Sequence, residues 1–243
     1  MIGCLIIHGF TGGPHEVEPL HDYLRKHTDW RISIPILSGH GESLELDKVS
    51  YDMWLKEAEE ALNELKQSCK KVYVIGFSMG GMIAAYLAAH FDVDKLVLLA
   101  TARRYLSFKY LSFYIAEVVR DGFKGKLDEN EIYTHYKSKI GEVPFRANVE
   151  FMKLVQETKQ YLDEVTSPVF IAQGQRDGMV PYKAAYSLEK ELGSQHKEVV
   201  IFEQSNHMIC LGDDRNVLNR MILEFLTEKI TEKIETETRT VER

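Results

Sequence analysis

Short, almost uninterrupted apolar runs recur along this chain, and they restrict its fold more than any other feature. Ile2–Ile7, Arg31–Pro35, Lys71–Gly76, Lys95–Ala100, Pro168–Gln173 and Val199–Glu203 read as strands. Val72-Tyr73-Val74-Ile75 and Leu96-Val97-Leu98-Leu99 lack the polar alternation of a half-exposed sheet. Strands covered on both faces by helices have this pattern. The stretches between them are amphipathic. Ser50–Gln67 places Trp54, Ala58, Ala61, Leu62 and Leu65 on one face and Lys and Glu on the other. Pro181 stands where a helix would begin and Gly193 where it would stop. Arg215–Lys233 carries Val217, Leu218, Ile222, Phe225, Leu226 and Ile230 at helical spacing. Alternating strands and helices give βαβ units, so the expected fold class is α/β, with a mainly parallel sheet of about six strands.

One segment breaks this rhythm. Thr101–Thr166 holds no strand-like run, only helical pieces at Ser107–Arg120, Asp128–Lys139 and Arg146–Glu164. Eleven of the chain's 25 aromatic residues fall between Tyr105 and Tyr161. The expected organisation is therefore a core formed by residues 1–100 and 167–234, with 101–166 inserted as a helical cap, or lid, over an apolar pocket. Packing of the same rings against the core is the plainer alternative. Residues 235–243 alternate Thr with charge and read as a polar tail, either a frayed helix end or a disordered segment.

The bulk properties exclude several classes of function. A chain of 243 residues, 44% of them hydrophobic, is long enough for one substantial core. The net charge of −7 and the lack of any Lys/Arg block leave no footprint for nucleic acid. Ile2–Ile7 is too short to span a bilayer and has no charged leader, so no stable membrane insertion is expected. Cys4, Cys69 and Cys210 are far apart and form no CxxC pair. They suit free thiols in a reducing compartment, which points to the cytoplasm. Nothing in the sequence specifies an oligomeric state.

The chemistry concentrates at Gly76-Phe77-Ser78-Met79-Gly80, a G-x-S-x-G. It follows an apolar strand and opens the helix-forming stretch Met82–Ala89, the strand–elbow–helix setting in which such a serine acts as a nucleophile. The backbone there turns sharply, and Gly76 and Gly80 leave room where a Cβ would collide with its neighbours. Serine is a weak nucleophile unaided and needs a base, which in turn needs an orienting carboxylate. In the elbow arrangement these follow the serine in the order acid, then histidine. His207 follows the strand Val199–Glu203 on a short loop, whereas His196 precedes that strand and His135 lies in the insertion. Asp177 lies just past the strand Pro168–Gln173, at the same carboxyl end as Ser78. Asp94 and Asp163 precede their strands, and Asp213 and Asp214 follow His207. The expected catalytic residues are thus Ser78, Asp177 and His207.

An oxyanion hole requires backbone N–H donors fixed in advance. Met79 and Phe10 are the candidates, the latter on His8-Gly9-Phe10-Thr11-Gly12-Gly13. His8 is expected to brace that loop by hydrogen bonding rather than act as a base. Gly39-His40-Gly41-Glu42-Ser43 reads as a structural loop. Phe10, Met179, Met208 and aromatic residues of the insertion are the expected wall for an acyl chain.

Together these landmarks resemble the α/β-hydrolases, and most closely the small bacterial carboxylesterases and monoacylglycerol lipases. His8-Gly9-Phe10-Thr11-Gly12, Gly39-His40-Gly41, Gly76-Phe77-Ser78-Met79-Gly80-Gly81, Asp177 and Ser205-Asn206-His207 carry the resemblance, which runs from Met1 to about Lys229. It implies a three-layer α/β-hydrolase fold and a serine hydrolase of small-molecule esters, with no metal or organic cofactor. The single glycine before Phe10 is unlike HGGG loops and implies esters of primary or secondary alcohols. The same fold hosts thioesterases, peptidases, acyltransferases, cofactor-free haloperoxidases and non-catalytic ligand sensors. Haloalkane dehalogenase chemistry would need Asp at position 78. An enzyme acting on a protein or cell-wall partner through the aromatic insertion is a further reading.

Overall fold

The computed structural model describes residues 1–41, 43–103, 143–228 and 237–241. Its strands are β1 (Ile2–Ile7), β2 (Arg31–Ser33), β3 (Lys71–Phe77), β4 (Lys95–Leu99), β5 (Val169–Gly174), β6 (Lys197–Phe202) and β7 (Glu237–Val241). Its helices are α1 (Glu18–His27), α2 (Tyr51–Ser68), α3 (Met79–His90), α4 (Phe145–Lys159), α5 (Lys183–Glu191) and α6 (Arg215–Thr227). All seven strands are parallel, in the order β2-β1-β3-β4-β5-β6-β7. The chain leaves β1 toward one edge and returns to β3 on the other side of β1. That reversal is a topological switch point, and the crevice above the carboxyl ends of β1 and β3 is where open α/β sheets take ligands.

The unbroken apolar runs follow from burial on both faces. Val72 and Val74 of β3 and Leu96 and Leu98 of β4 enter one hydrophobic cluster, with Leu62, Leu87 and Leu154 from α2, α3 and α4. Their neighbours Tyr73, Ile75, Val97 and Leu99 enter the other, with Leu20 and Leu24 of α1 and Leu218, Ile222 and Phe225 of α6. The period-2 alternation is therefore present, but both of its phases are apolar. Helix α3 is apolar all round because the sheet lies on one side and α4 on the other. Lys95, the first residue of β4, donates from Nζ to the Glu228 carbonyl at 2.7 Å, satisfying a carbonyl that the end of α6 leaves over.

Three features differ from the sequence reading. Helix α1 was not among the expected elements; Pro19 in its first turn and the i,i+4 pair Leu20 and Leu24 are its signal. Helix α6 stops at Thr227 rather than Lys233. The polar tail supplies the strand β7, paired with β6 from Glu198↔Glu237 to Phe202↔Val241. Its Thr–charge alternation has the period of a strand, which composition alone disguised as disorder. The helical pieces Ser107–Arg120 and Asp128–Lys139 lie outside the described residues. The described end of the insertion, α4, buries Ala147, Phe151, Leu154 and Val155 in the first cluster.

Phe170, the second residue of β5, is fully buried, its ring 5.6 Å from that of Phe225. Phe170→Ala is expected to lower stability by about 3–5 kcal/mol. A urea titration should show a lower midpoint at unchanged slope, and an unchanged midpoint would contradict this packing.

Candidate active site

Ser78 stands between β3 and α3 with φ 53° and ψ −114°, a left-handed backbone that a residue with a Cβ rarely adopts. The surroundings hold it there. Its N–H donates to the Leu99 carbonyl at 2.8 Å, and its own carbonyl accepts from Gly81 N–H and Ala102 N–H, both at 3.1 Å. The two motif glycines are spaces rather than hinges. A Cβ on Gly76 would lie 2.1 Å from the Gly80 carbonyl oxygen, and one on Gly80 would lie 2.3 Å from that of Ile7. The first turn of α3 is thereby pressed against the ends of β3 and β1. Met79 begins the helix, so its N–H has no intrahelical partner.

The three residues expected to act together do meet. His207 Nε2 lies 3.0 Å from Ser78 Oγ, and His207 Nδ1 lies 2.7 Å from Asp177 Oδ2. All three side chains are buried. Asp177 Oδ1 accepts the N–H groups of Met179 and Val180 at 2.7 and 2.8 Å, which fixes the carboxylate on its loop. Because Oδ2 can only accept, Nδ1 carries the proton and Nε2 is left to accept from the serine hydroxyl. Burial pushes the imidazole pKa down, but the charge and hydrogen bond of Asp177 outweigh it and the net displacement is upward. The loops after β5 and β6 are tied together, since Arg176 N–H donates to the Ser205 carbonyl at 3.0 Å. Ser205 Oγ donates to Asp214 Oδ2 at 2.6 Å, and Asn206 Oδ1 accepts from Met208 N–H at 2.9 Å.

Gln173 was missed by the sequence reading. Its buried amide at the end of β5 donates to Asp177 Oδ2 at 2.7 Å, the same oxygen that meets His207. The available signal was a polar side chain on an otherwise apolar strand four residues before the acid, because a buried amide must find partners.

His8 braces its loop. Its Nδ1–H donates to the Gly9 carbonyl at 2.9 Å, and Nε2 accepts the Leu37 N–H at 3.2 Å. These bonds require the neutral ring. Burial first, and then the nearby His40, lower its pKa to about 4. The loop that Leu37 begins is held in turn by Trp54, whose indole N–H donates to the Ser38 carbonyl at 2.9 Å. Glu57 accepts the Ser38 N–H at 2.7 Å.

The Phe10 ring stacks on Phe151 of α4 at 4.8 Å and meets Trp54 edge-on at 5.9 Å. Met179 packs against that same cluster, but Met208 packs against the cluster on the opposite face of the sheet. Among the described residues, no group of three His, Cys, Asp or Glu side chains could hold a metal, and no helix is long and apolar enough to cross a membrane.

This sheet order, with a serine elbow at its switch point, is that of an α/β-hydrolase. A family model described as serine aminopeptidase, S33, matches residues 3–214, and the chain belongs to that enzyme family. It is 29% identical over 231 residues to a thermostable monoacylglycerol lipase of Bacillus sp. (strain H-257), covering 93% of this chain and 91% of that one. It is 24% identical over 226 residues to a carboxylesterase of Bacillus subtilis (strain 168), covering 91% of each. The solved monoacylglycerol lipase of Paleococcus ferrophilus superposes with a TM-score of 0.70 at 17% identity, over 92% of this chain and 93% of that one. The chain is an α/β-hydrolase similar to esterases and monoacylglycerol lipases.

The depressed pKa of His8 makes stability pH-dependent. Its folded value of about 4 lies below the ordinary 6.5, so the unfolded chain takes up the proton first as pH falls. The contribution is complete above about 6.5 and is lost between there and about 4, on the order of 3 kcal/mol in all. His8→Gln should be less stable at pH 7.5 in urea unfolding, yet lose less stability than wild type on transfer to pH 4.5. Equal losses in the two proteins would contradict the assignment.

Proposed function

We propose that this enzyme hydrolyses carboxylic esters through an acyl-enzyme formed on Ser78, acting on short- to medium-chain acyl esters or monoacylglycerols. The observation that carries the reading is the continuous hydrogen-bonded line from Ser78 Oγ through His207 to Asp177. His207 Nε2 takes the hydroxyl proton as Oγ attacks the ester carbonyl carbon. Asp177 holds the ring in the useful tautomer and stabilises the imidazolium. The carbonyl oxygen becomes an oxyanion that receives the N–H groups of Phe10 and Met79. Collapse of this intermediate breaks the ester C–O bond, and His207 returns the proton to the departing alcohol. Water then attacks the acyl-enzyme with His207 again as base, releasing the acid and restoring Ser78.

Phe10, Met179 and Met208 would line the acyl chain. Relatives named monoacylglycerol lipase and carboxylesterase support this substrate class over the peptides suggested by the family description. The free, buried Cys4, Cys69 and Cys210 support a reducing compartment, and we place the enzyme in the cytoplasm.

A series of p-nitrophenyl esters from acetate to palmitate tests the proposal. Turnover is expected with an optimum at short or medium chain length, and Ser78→Ala should lower kcat by roughly a million-fold while leaving the protein folded. The acid limb of kcat/KM should lie above the ordinary histidine value, because the base must be neutral and its pKa is raised. Near-wild-type turnover by Ser78→Ala would remove the mechanism. No release from any ester would move thioesters or other acyl groups to the front.

A further inference from the structure

A buried carboxylate lies against the loop after β1, and the reaction above gives it no part. Glu16 sits in the 3-10 turn Pro14–Glu16 before α1 and is only 2% exposed. Its Oε2 accepts the Gly9 N–H at 2.9 Å. A Cβ on Gly12 would fall 2.0 Å from the same oxygen, so the carboxylate is seated directly on the backbone at that point. Glu16 therefore touches both ends of the segment that carries Phe10. Between them Thr11 is held at φ 61°, and Gly12 N–H reaches the Gly9 carbonyl at 3.4 Å. A tight turn with a left-handed non-glycine residue needs such an external clamp.

Burying a carboxylate is costly, and a glutamine could make the same hydrogen bond without the charge. The charge has a counterpart close by. Glu16 favours the protonated imidazole of His207, after the larger contribution of Asp177. Asp177 on the loop after β5 and Ser78 at the elbow are hydrogen-bonded to that imidazole, the Phe77 ring lies 5.3 Å from it, and the charge of Glu16 acts on it from the turn before α1. Burial, and after it the charge of Glu16, push the Cys210 thiol pKa up.

We propose that Glu16 is a positioning residue of the reaction. It clamps the Gly9–Gly12 turn so that the Phe10 N–H is aimed before substrate arrives, and its charge supports the imidazolium formed when Ser78 loses its proton. A second anion near a developing oxyanion carries a like-charge penalty, and the full positive charge created on His207 in the same step offsets it. This proposal rests on the Ser78 mechanism.

The test is a set of steady-state pH profiles on p-nitrophenyl butyrate for wild type, Ser78→Ala, Glu16→Gln and Gly12→Ala. Glu16→Gln keeps an acceptor for the Gly9 N–H but removes the charge, and should lower kcat roughly tenfold with KM nearly unchanged. Its acid limb should move to lower pH, because one charge favouring the imidazolium is gone. Gly12→Ala displaces the carboxylate without neutralising it and should also lower kcat; it serves as the second variant should Glu16→Gln not fold. An inactive wild type, or an active Ser78→Ala, would overturn the esterase mechanism itself. With wild type active and Ser78→Ala silent, Glu16→Gln and Gly12→Ala profiles that both superimpose on wild type would overturn the role of Glu16 alone. A reduced kcat with an unmoved acid limb would overturn its electrostatic part.

Discussion

The site depends on one close approach, that of the first turn of α3 to the ends of β3 and β1. Gly76 and Gly80 permit it, because a side chain at either position would overlap backbone rather than a movable group. The approach puts Ser78 at the topological switch point and forces its backbone into a left-handed conformation. Backbone hydrogen bonds from the end of β4 hold that strained residue in place. It also sets the start of a helix beside the loop after β1. The two donors required by the proposed mechanism therefore come from segments that the fold already presses together. Strain at the elbow is sustained by the hydrogen bonds and packing of the sheet around it.

The second dependence is electrostatic. Asp177 is buried with every oxygen engaged, by two backbone N–H groups on one and by Gln173 and His207 on the other. An aspartate so surrounded has a fixed orientation, and it can fix the tautomer of the imidazole in turn. Histidine protonation is used in opposite senses within one region. His207 is pushed up by a carboxylate, while His8, buried near His40, is pushed down and serves as a neutral strut. One fold thus separates the histidine of the proposed proton transfer from a structural one by the charges it places around each.

Much of this was legible in the sequence, for identifiable reasons. The five internal strands could be read because burial on both faces leaves uninterrupted apolar runs. The meeting of Ser78, Asp177 and His207 could be read because chain order and position after a strand restrict which residues reach the carboxyl end of the sheet. What escaped was set by contacts between distant segments. Gln173 and Glu16 look like ordinary polar residues until folding buries them against Asp177 and Gly9. The tail read as disorder because composition hid a period-2 pattern that pairing with β6 makes into a strand.

The central claim is that Ser78 is the one residue that becomes acylated. Intact-protein mass spectrometry after treatment with a p-nitrophenyl alkylphosphonate tests it most directly, because that reagent places a stable tetrahedral group on an activated serine. The account predicts a single adduct per chain, mapped to Ser78, and none on Ser78→Ala. Labelling at another residue, or an unmodified wild-type protein after release of no p-nitrophenol, would contradict it.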